Sequence, residues 1–224
     1  MFNKAKAAPV LAEFLGTSLL VMVALVLSET TAVSYFIATS LAVTLAVIVM
    51  LFGGASGAHV NPGITFGMWT ARKISTIRGV AYIAAQLLGG LAAWQLYQYF
   101  TDKQLPVKNI VFSTNVMIAE VVGTAILAMA VAAIVVRKLD ALQSALAAGT
   151  AIFAGIVVAA TAGAGYINPA IALGERAWSS VYVLGPLVGG LVGVNLYVYF
   201  FGPETPKTAK LKVTTKSKSG KKKK

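Results

Sequence analysis

Few side chains in this sequence are equipped for chemistry, and the ones that are come in pairs. An Asn-Pro dipeptide stands in "HVNPGITFG" (Asn61-Pro62, followed by Gly63) and again in "YINPAIALG" (Asn168-Pro169, followed by Ala170). Glu13 and Glu120 lie inside apolar runs, where an ionisable group is by default a sign of function. His59 is the lone histidine and cysteine is absent. A metal site wants several such ligands, so none is expected, and there is neither a thiol nucleophile nor a disulfide framework. No nucleophile, base and orienter stand together, and no Gly-rich segment ends in the Lys-Ser or Lys-Thr of a phosphate loop. An enzyme and a bound cofactor are therefore not expected. Asn-Pro does something else: Asn is a strong helix N-cap, and Pro suits the first helical turn, where its missing N–H would have had no partner. Each pair starts a helix and places carboxamide donors at its positive end.

The elements that must position these groups are membrane spans. The chain has 224 residues, 58% hydrophobic and 12% charged, and its apolar blocks are long enough to cross a hydrocarbon core of ~30 Å. Spans are expected at about 8–28, 34–53, 76–100, 115–136, 142–162 and 179–201. The basic N-terminus begins like a signal peptide, but its apolar stretch is too long and lacks a clear cleavage site, so it reads as a retained first span.

An internal duplication ties the paired residues together. Asn61 and Asn168 are 107 residues apart, as are Glu13 and Glu120, Gly16 and Gly123, Thr17 and Thr124, and Gly67 and Gly174. The register then slips: Gly89-Gly90 matches Gly189-Gly190 at an offset of 100, so the second copy has lost seven residues. That loss is expected in an outer loop. Each copy holds three spans, an odd number, so the repeats are inverted in the membrane. Their Asn-Pro loops approach the midplane from opposite faces, and the helices that follow extend about 15 Å, half a bilayer. Irregular backbone at that depth is tolerated only inside protein or along a water-filled path. If the loops line a path, the carbonyls of Gly57, Ala58 and His59 and of Gly163, Ala164 and Gly165 offer acceptors along it, and the Asn61 and Asn168 amides offer donors. Two helix dipoles aimed at one point disfavour a cation there, which suits a neutral hydrogen-bonding solute.

The net charge of +12 raises the question of nucleic acid, but the location of the charge answers it. With the N-terminus inside, 16 of the 19 basic residues fall on that side, leaving Lys103, Lys108 and Arg176 outside. Both termini are thus expected to be cytoplasmic, and no nucleic-acid partner is expected. Residues 203–224 form a Lys-rich segment expected to be a disordered cytoplasmic tail, read as a solvated topology signal or a contact for anionic lipid.

"SGAHVNPGIT" and "GYINPAIA", with "AEFLGT" and "AEVVGT" at the starts of the halves and "QLLGG" and "GPLVGG" in their third spans, resemble the aquaporin, or major intrinsic protein, family. The resemblance covers about residues 9–201. It implies an all-α membrane protein, a six-span bundle with two re-entrant half-helices. The expected division is a short N-terminus (1–7), a channel domain (8–202, with repeats at 8–100 and 115–202) and the tail. It also implies a pore in every protomer, usually within a homotetramer, that passes water or small uncharged solutes such as glycerol through the lipid bilayer. Glu13 and Glu120 match the family's buried carboxylates that brace the loops. His59 matches a histidine common before the first box, with a loop-bracing or pore-edge role and a pH gate as the alternative.

Two departures stand out. Gly63 replaces the usual Ala of the first box, which is expected to loosen packing without changing selectivity. Ile171 occupies the position where the family typically carries an Arg, and the family's spacing puts the other filter positions at Leu41, Ile156 and Gly165. That ring has no side-chain donor and no fixed charge. Arg176, about 7 Å farther along the half-helix, is expected at the outer-mouth surface beside Glu175. A non-conducting scaffold and, less in keeping with the residues, an ion-coupled inverted-repeat transporter are the alternative functions. Short loops and compactness point to a prokaryotic inner membrane.

Overall fold

The structure is a computed structural model describing residues 4–31 and 33–203. The Lys-rich tail expected at 203–224 lies, apart from its first residue, outside the described residues, as do residues 1–3. The described residues form eight helices: α1 (Lys4–Thr30), α2 (Ser34–Ser56), α3 (Pro62–Thr70), α4 (Thr76–Thr101), α5 (Thr114–Arg137), α6 (Ala141–Ala159), α7 (Pro169–Gly174) and α8 (Ser180–Phe201). Six are long and apolar enough to cross a membrane, and α3 and α7 are the two half-helices. The chain is an integral membrane protein with the all-α architecture expected. Exposed large side chains such as Val43, Leu51, Ile77, Tyr99 and Phe200 cover the outside of the bundle, as a lipid solvent requires.

Helix ends follow local chemistry. Ser75 and Ser113 accept from the N–H of Arg78 and Val116, and Asp140 forms a capping box with Gln143. α2 stops at Gly57, whose φ of 92° is left-handed and whose N–H returns to the Gly53 carbonyl. α1 starts at Lys4, inside the segment expected to precede the channel domain, and α6 ends at Ala159, short of the expected residue 162.

The repeats are α1–α4 and α5–α8. Within each, the first and last long helices pack together, α1 on α4 and α5 on α8, while α2 meets α6 and α5 meets α6. The half-helices cross over, α3 against α8 and α7 against α4. Small residues permit these approaches: a Cβ on Gly90 would lie 2.6 Å from the Ala170 carbonyl oxygen, and Gly190 abuts the Gly63 carbonyl. The seven-residue loss is not in the outer loop. α3 has nine residues and α7 six, and α8 begins four residues closer to its glycine pair than α4 does. The connections at 71–75 and 175–179 remain equal in length. The deletion shortened two helices because the turn between them is fixed: Arg72 and Arg176 occupy the same place in it, with φ of 57° and 59°.

Candidate functional site

The site is built where the two Asn-Pro loops meet. Asn61 and Asn168 have nearly identical extended backbones, with φ of −157° and −156°. Each side-chain oxygen caps its own half-helix, accepting from Gly63 N at 2.8 Å and Ala170 N at 2.9 Å. Each side-chain nitrogen reaches into the other repeat: Asn61 Nδ2 donates to the Ile167 carbonyl and Asn168 Nδ2 to the Val60 carbonyl, both at 2.9 Å. A carboxamide carries two N–H donors, so each asparagine holds one donor beyond the one that joins the loops.

That cross-bonding requires the carbonyls of Val60 and Ile167 to turn toward the opposite loop. Both residues are β-branched and sit at positive φ, 41° and 43°, a conformation that costs on the order of 1–3 kcal/mol. The buried glutamates hold it. Glu13 accepts from His59 N at 3.0 Å and Val60 N at 2.7 Å; Glu120 accepts from Tyr166 N at 2.9 Å and Ile167 N at 2.6 Å. These bonds are charge-assisted and stronger than neutral ones. The chain from carboxylate to strained amide, carbonyl and asparagine runs through both repeats in the same way.

Other residues break the symmetry; of these the sequence reading singled out His59 and missed Gln86 and Thr65. Gln86 Nε2 donates to both Glu13 Oε2 and Thr65 Oγ1 at 2.8 Å, and His59 Nδ1 lies 3.2 Å from that same hydroxyl. In the second repeat, the corresponding positions hold Pro186 and Ala172, neither of which has a side-chain donor to offer Glu120. Gln86 was visible as an amide in the middle of an apolar span, aligned with Pro186 by the offset of 100. The tyrosines stay paired: Tyr82 donates to the Ser56 carbonyl, and the Tyr182 hydroxyl accepts from Ala164 N, each at 3.1 Å.

Each of the two loops that carry the asparagines borders a cavity. The first, about 470 Å³, has an apolar wall that includes Leu45, Val49, Ile64 and Val131, with His59 among its few polar groups. The second, about 290 Å³, is lined by Leu41, Gly165 and Ile171 together with Lys108, Tyr166 and Glu175. Asn61 and Asn168 line neither, and the two cavities share no lining residue. Of the four expected filter residues, Ile156 is not on the wall; it is buried near the end of α6, where its carbonyl lies 3.0 Å from the place a Cβ on Gly165 would take. The other three, Leu41, Gly165 and Ile171, share one cavity wall, and that wall also carries the charged Lys108 and Glu175. Arg176 is half-buried, its guanidinium 4.2 Å from the Trp94 ring centroid, and Glu175 pairs with Lys108 instead.

The description "Major intrinsic protein" matches residues 2–197. The chain belongs to the major intrinsic protein family. It is 32% identical over 179 residues to a probable TIP-type aquaporin of Medicago truncatula, covering 74% of this chain and 72% of that one. It is 34% identical over 176 residues to an aquaporin of Musa acuminata, covering 72% and 70%. The fold matches an aquaglyceroporin from Plasmodium falciparum with a TM-score of 0.66 and 22% identity, over 87% of this chain and 95% of the other.

In this major intrinsic protein the Gly of the first box does not loosen the packing. A Cβ on Gly63 would stand 2.5 Å from the Pro186 carbonyl oxygen and 2.9 Å from its carbon. α8 has moved in to fill the space that the methyl of an Ala would take. The Ala of the second box, Ala170, is instead fully buried with its carbonyl against Gly90.

Proposed function

We propose that this chain is a passive channel that conducts water and small uncharged solutes such as glycerol, with a pore in each protomer. The observation that carries the proposal is the crossed pair of asparagines that joins two loops, each of which borders a cavity. Each carboxamide spends one N–H on the opposite loop and keeps the other for a passing oxygen. A solute there trades hydration for two fixed donors, while the converging positive helix ends oppose a cation. The residues of this reading are Asn61, Pro62, Gly63, Asn168, Pro169 and Ala170 at the centre and Leu41, Gly165 and Ile171 at the constriction. Glu13, Glu120 and His59 act as braces. The outer cavity of about 290 Å³ has room for a glycerol-sized molecule, since a water occupies ~30 Å³.

A channel of this kind has no catalytic step. The charge distribution supports cytoplasmic termini, and we take the assembly as the homotetramer that the family resemblance implies. A prokaryotic inner membrane rests only on the short connections of the chain, and the plant origin of the named aquaporin relatives does not add to it.

The test is stopped-flow light scattering on proteoliposomes, with water and glycerol measured in parallel. The proposal predicts osmotic shrinkage faster than in protein-free vesicles, followed by reswelling in glycerol. Folded, reconstituted protein that leaves both rates at the vesicle background contradicts it.

A further inference from the structure

The apolar ring beside the second cavity leaves a passing solute without a side-chain donor, yet one cation lies on the same wall. Lys108 comes from the connection between α4 and α5, and it lines the cavity with Leu41, Gly165 and Ile171. Its Nζ donates to Glu175 Oε2 at 2.7 Å. The two partners are exposed very differently: the Lys108 side chain is 35% accessible and that of Glu175 1%. The carboxylate is thus enclosed, with its other oxygen taken by Ser28 Oγ at 2.7 Å, while the ammonium retains two further N–H donors.

The loop that carries Lys108 is anchored at its backbone. Lys108 N donates to the Arg176 carbonyl at 2.8 Å, next to the end of α7. Upstream, Leu105 is buried and its N–H donates to Gln98 Oε1 at 2.9 Å. A lysine on a free surface loop would sample many rotamers; this one is fixed at both its backbone and its tip.

We propose that Lys108 is the charged, specificity-determining member of this channel's outer filter, held at the wall of the cavity by the backbone anchor of its loop, with Glu175 as its counter-ion. The inference rests on the channel reading above. Lys108 supplies from a loop what Ile171 lacks on the half-helix: hydrogen-bond donors for the hydroxyl or carbonyl oxygen of a neutral solute, and a fixed positive charge on the path of a cation. Glu175 offsets part of that charge, but although it lines the same cavity its side chain is 1% accessible against 35% for Lys108. The lysine is therefore the partner more open to a cation entering the cavity. The competing account is that the ion pair only fastens the loop to α7. The two differ in what they require of each partner. A fastener is lost equally from either side, whereas a filter charge is lost only with the lysine.

The experiment uses full-length protein in proteoliposomes, wild type against Lys108→Met, Lys108→Arg and Glu175→Gln. Water flux, glycerol flux and the leak of protons and sodium ions are recorded for each. Lys108→Met is expected to raise the cation leak about fivefold, the factor that a barrier change of about 1 kcal/mol gives for charges interacting across a wet mouth. It should also change the glycerol-to-water ratio, and Lys108→Arg should restore both. Glu175→Gln breaks the same ion pair and should give no rise in leak. If folded Lys108→Met matches the wild type in leak and ratio, or if Glu175→Gln leaks equally with it, the proposal is overturned while the channel reading stands. Should Lys108→Met not fold, Glu175→Gln and Lys108→Arg still decide: leak raised in Glu175→Gln overturns the proposal, and wild-type leak in both supports it. A wild type without flux overturns this proposal and the channel reading together.

Discussion

Replacing Gly63 by Ala would give the first box the residue usual in its family, and here it should destabilise the protein. The added Cβ would lie 2.5 Å from the Pro186 carbonyl oxygen, 2.9 Å from its carbon and 3.2 Å from Asn61 Oδ1. Ordinary contact begins near 3.4 Å, so α3 and α8 must separate by most of an ångström. The obstacle is backbone, which cannot swing aside as a side chain would. Nor is the neighbourhood slack, because Gly190 on α8 abuts the Gly63 carbonyl and Gly67 abuts that of Gly190. Overpacking of this kind costs about 1–3 kcal/mol. Against it stands a gain of at most ~1 kcal/mol from replacing Gly in a helix, smaller here because the position is in the first turn. The net expectation is a loss of about 1–2 kcal/mol, which lowers Tm by roughly 2–8 °C for a chain of this size. Gly54→Ala is the control, since nothing lies within 4 Å of its Cβ and the same helix gain should leave it neutral or stabilised. Heating detergent-solubilised protein and following tryptophan fluorescence reads both variants. A Gly63→Ala protein as stable as the wild type would refute the claim that α8 has closed over the missing methyl.

Three further outcomes follow from the bracing and the ring. Glu13→Gln and Glu120→Gln should each lower thermal stability, because Glu13 accepts from two backbone amides and from Gln86 and Glu120 accepts from the backbone amides of Tyr166 and Ile167. Each lost charge-assisted bond costs about 1–3 kcal/mol, and lost flux at unchanged stability would instead mark a transport role for the carboxylate. Gln86→Leu should cost about 1–2 kcal/mol by removing two hydrogen bonds to buried partners; a melting point equal to that of the wild type would show the asymmetry between repeats to be energetically idle. Ile171→Arg should reduce glycerol flux more than water flux, since a long cation would project into a cavity of about 290 Å³; a higher glycerol-to-water ratio in folded protein would remove Ile171 from the constriction.

The parts of this molecule that repeat were legible in its sequence. Hydropathy located six spans, and the common offset of 107 aligned Glu13 with Glu120 and Asn61 with Asn168 before any contact was known. Those residues act through backbone groups of a nearby loop, so their spacing carries the information. What was not legible depends on the approach of distant segments. Gly63 reads as a missing methyl until α8 is seen against it. Lys108 and Glu175 are 67 residues apart, and Lys108 lies in a connection without periodicity, so no pattern in the chain links them. Ile156 was assigned to the ring by the family's spacing, and in the structure it is buried near the end of α6 with its backbone carbonyl toward Gly165. The seven-residue deletion had the right size and the wrong place, because helix lengths were free to change while the turn after each half-helix was not.

The crossed asparagines are the centre of the account, and their removal tests it most directly. Asn61→Ser and Asn168→Ser keep an oxygen to cap each half-helix but remove the carboxamide N–H groups that join the loops and that the proposal assigns to the path. Water permeability is measured by stopped-flow light scattering on vesicles containing equal amounts of folded protein. The account predicts fast osmotic shrinkage in the wild type and a large loss of that flux in both variants. Wild-type flux in both folded variants would contradict it.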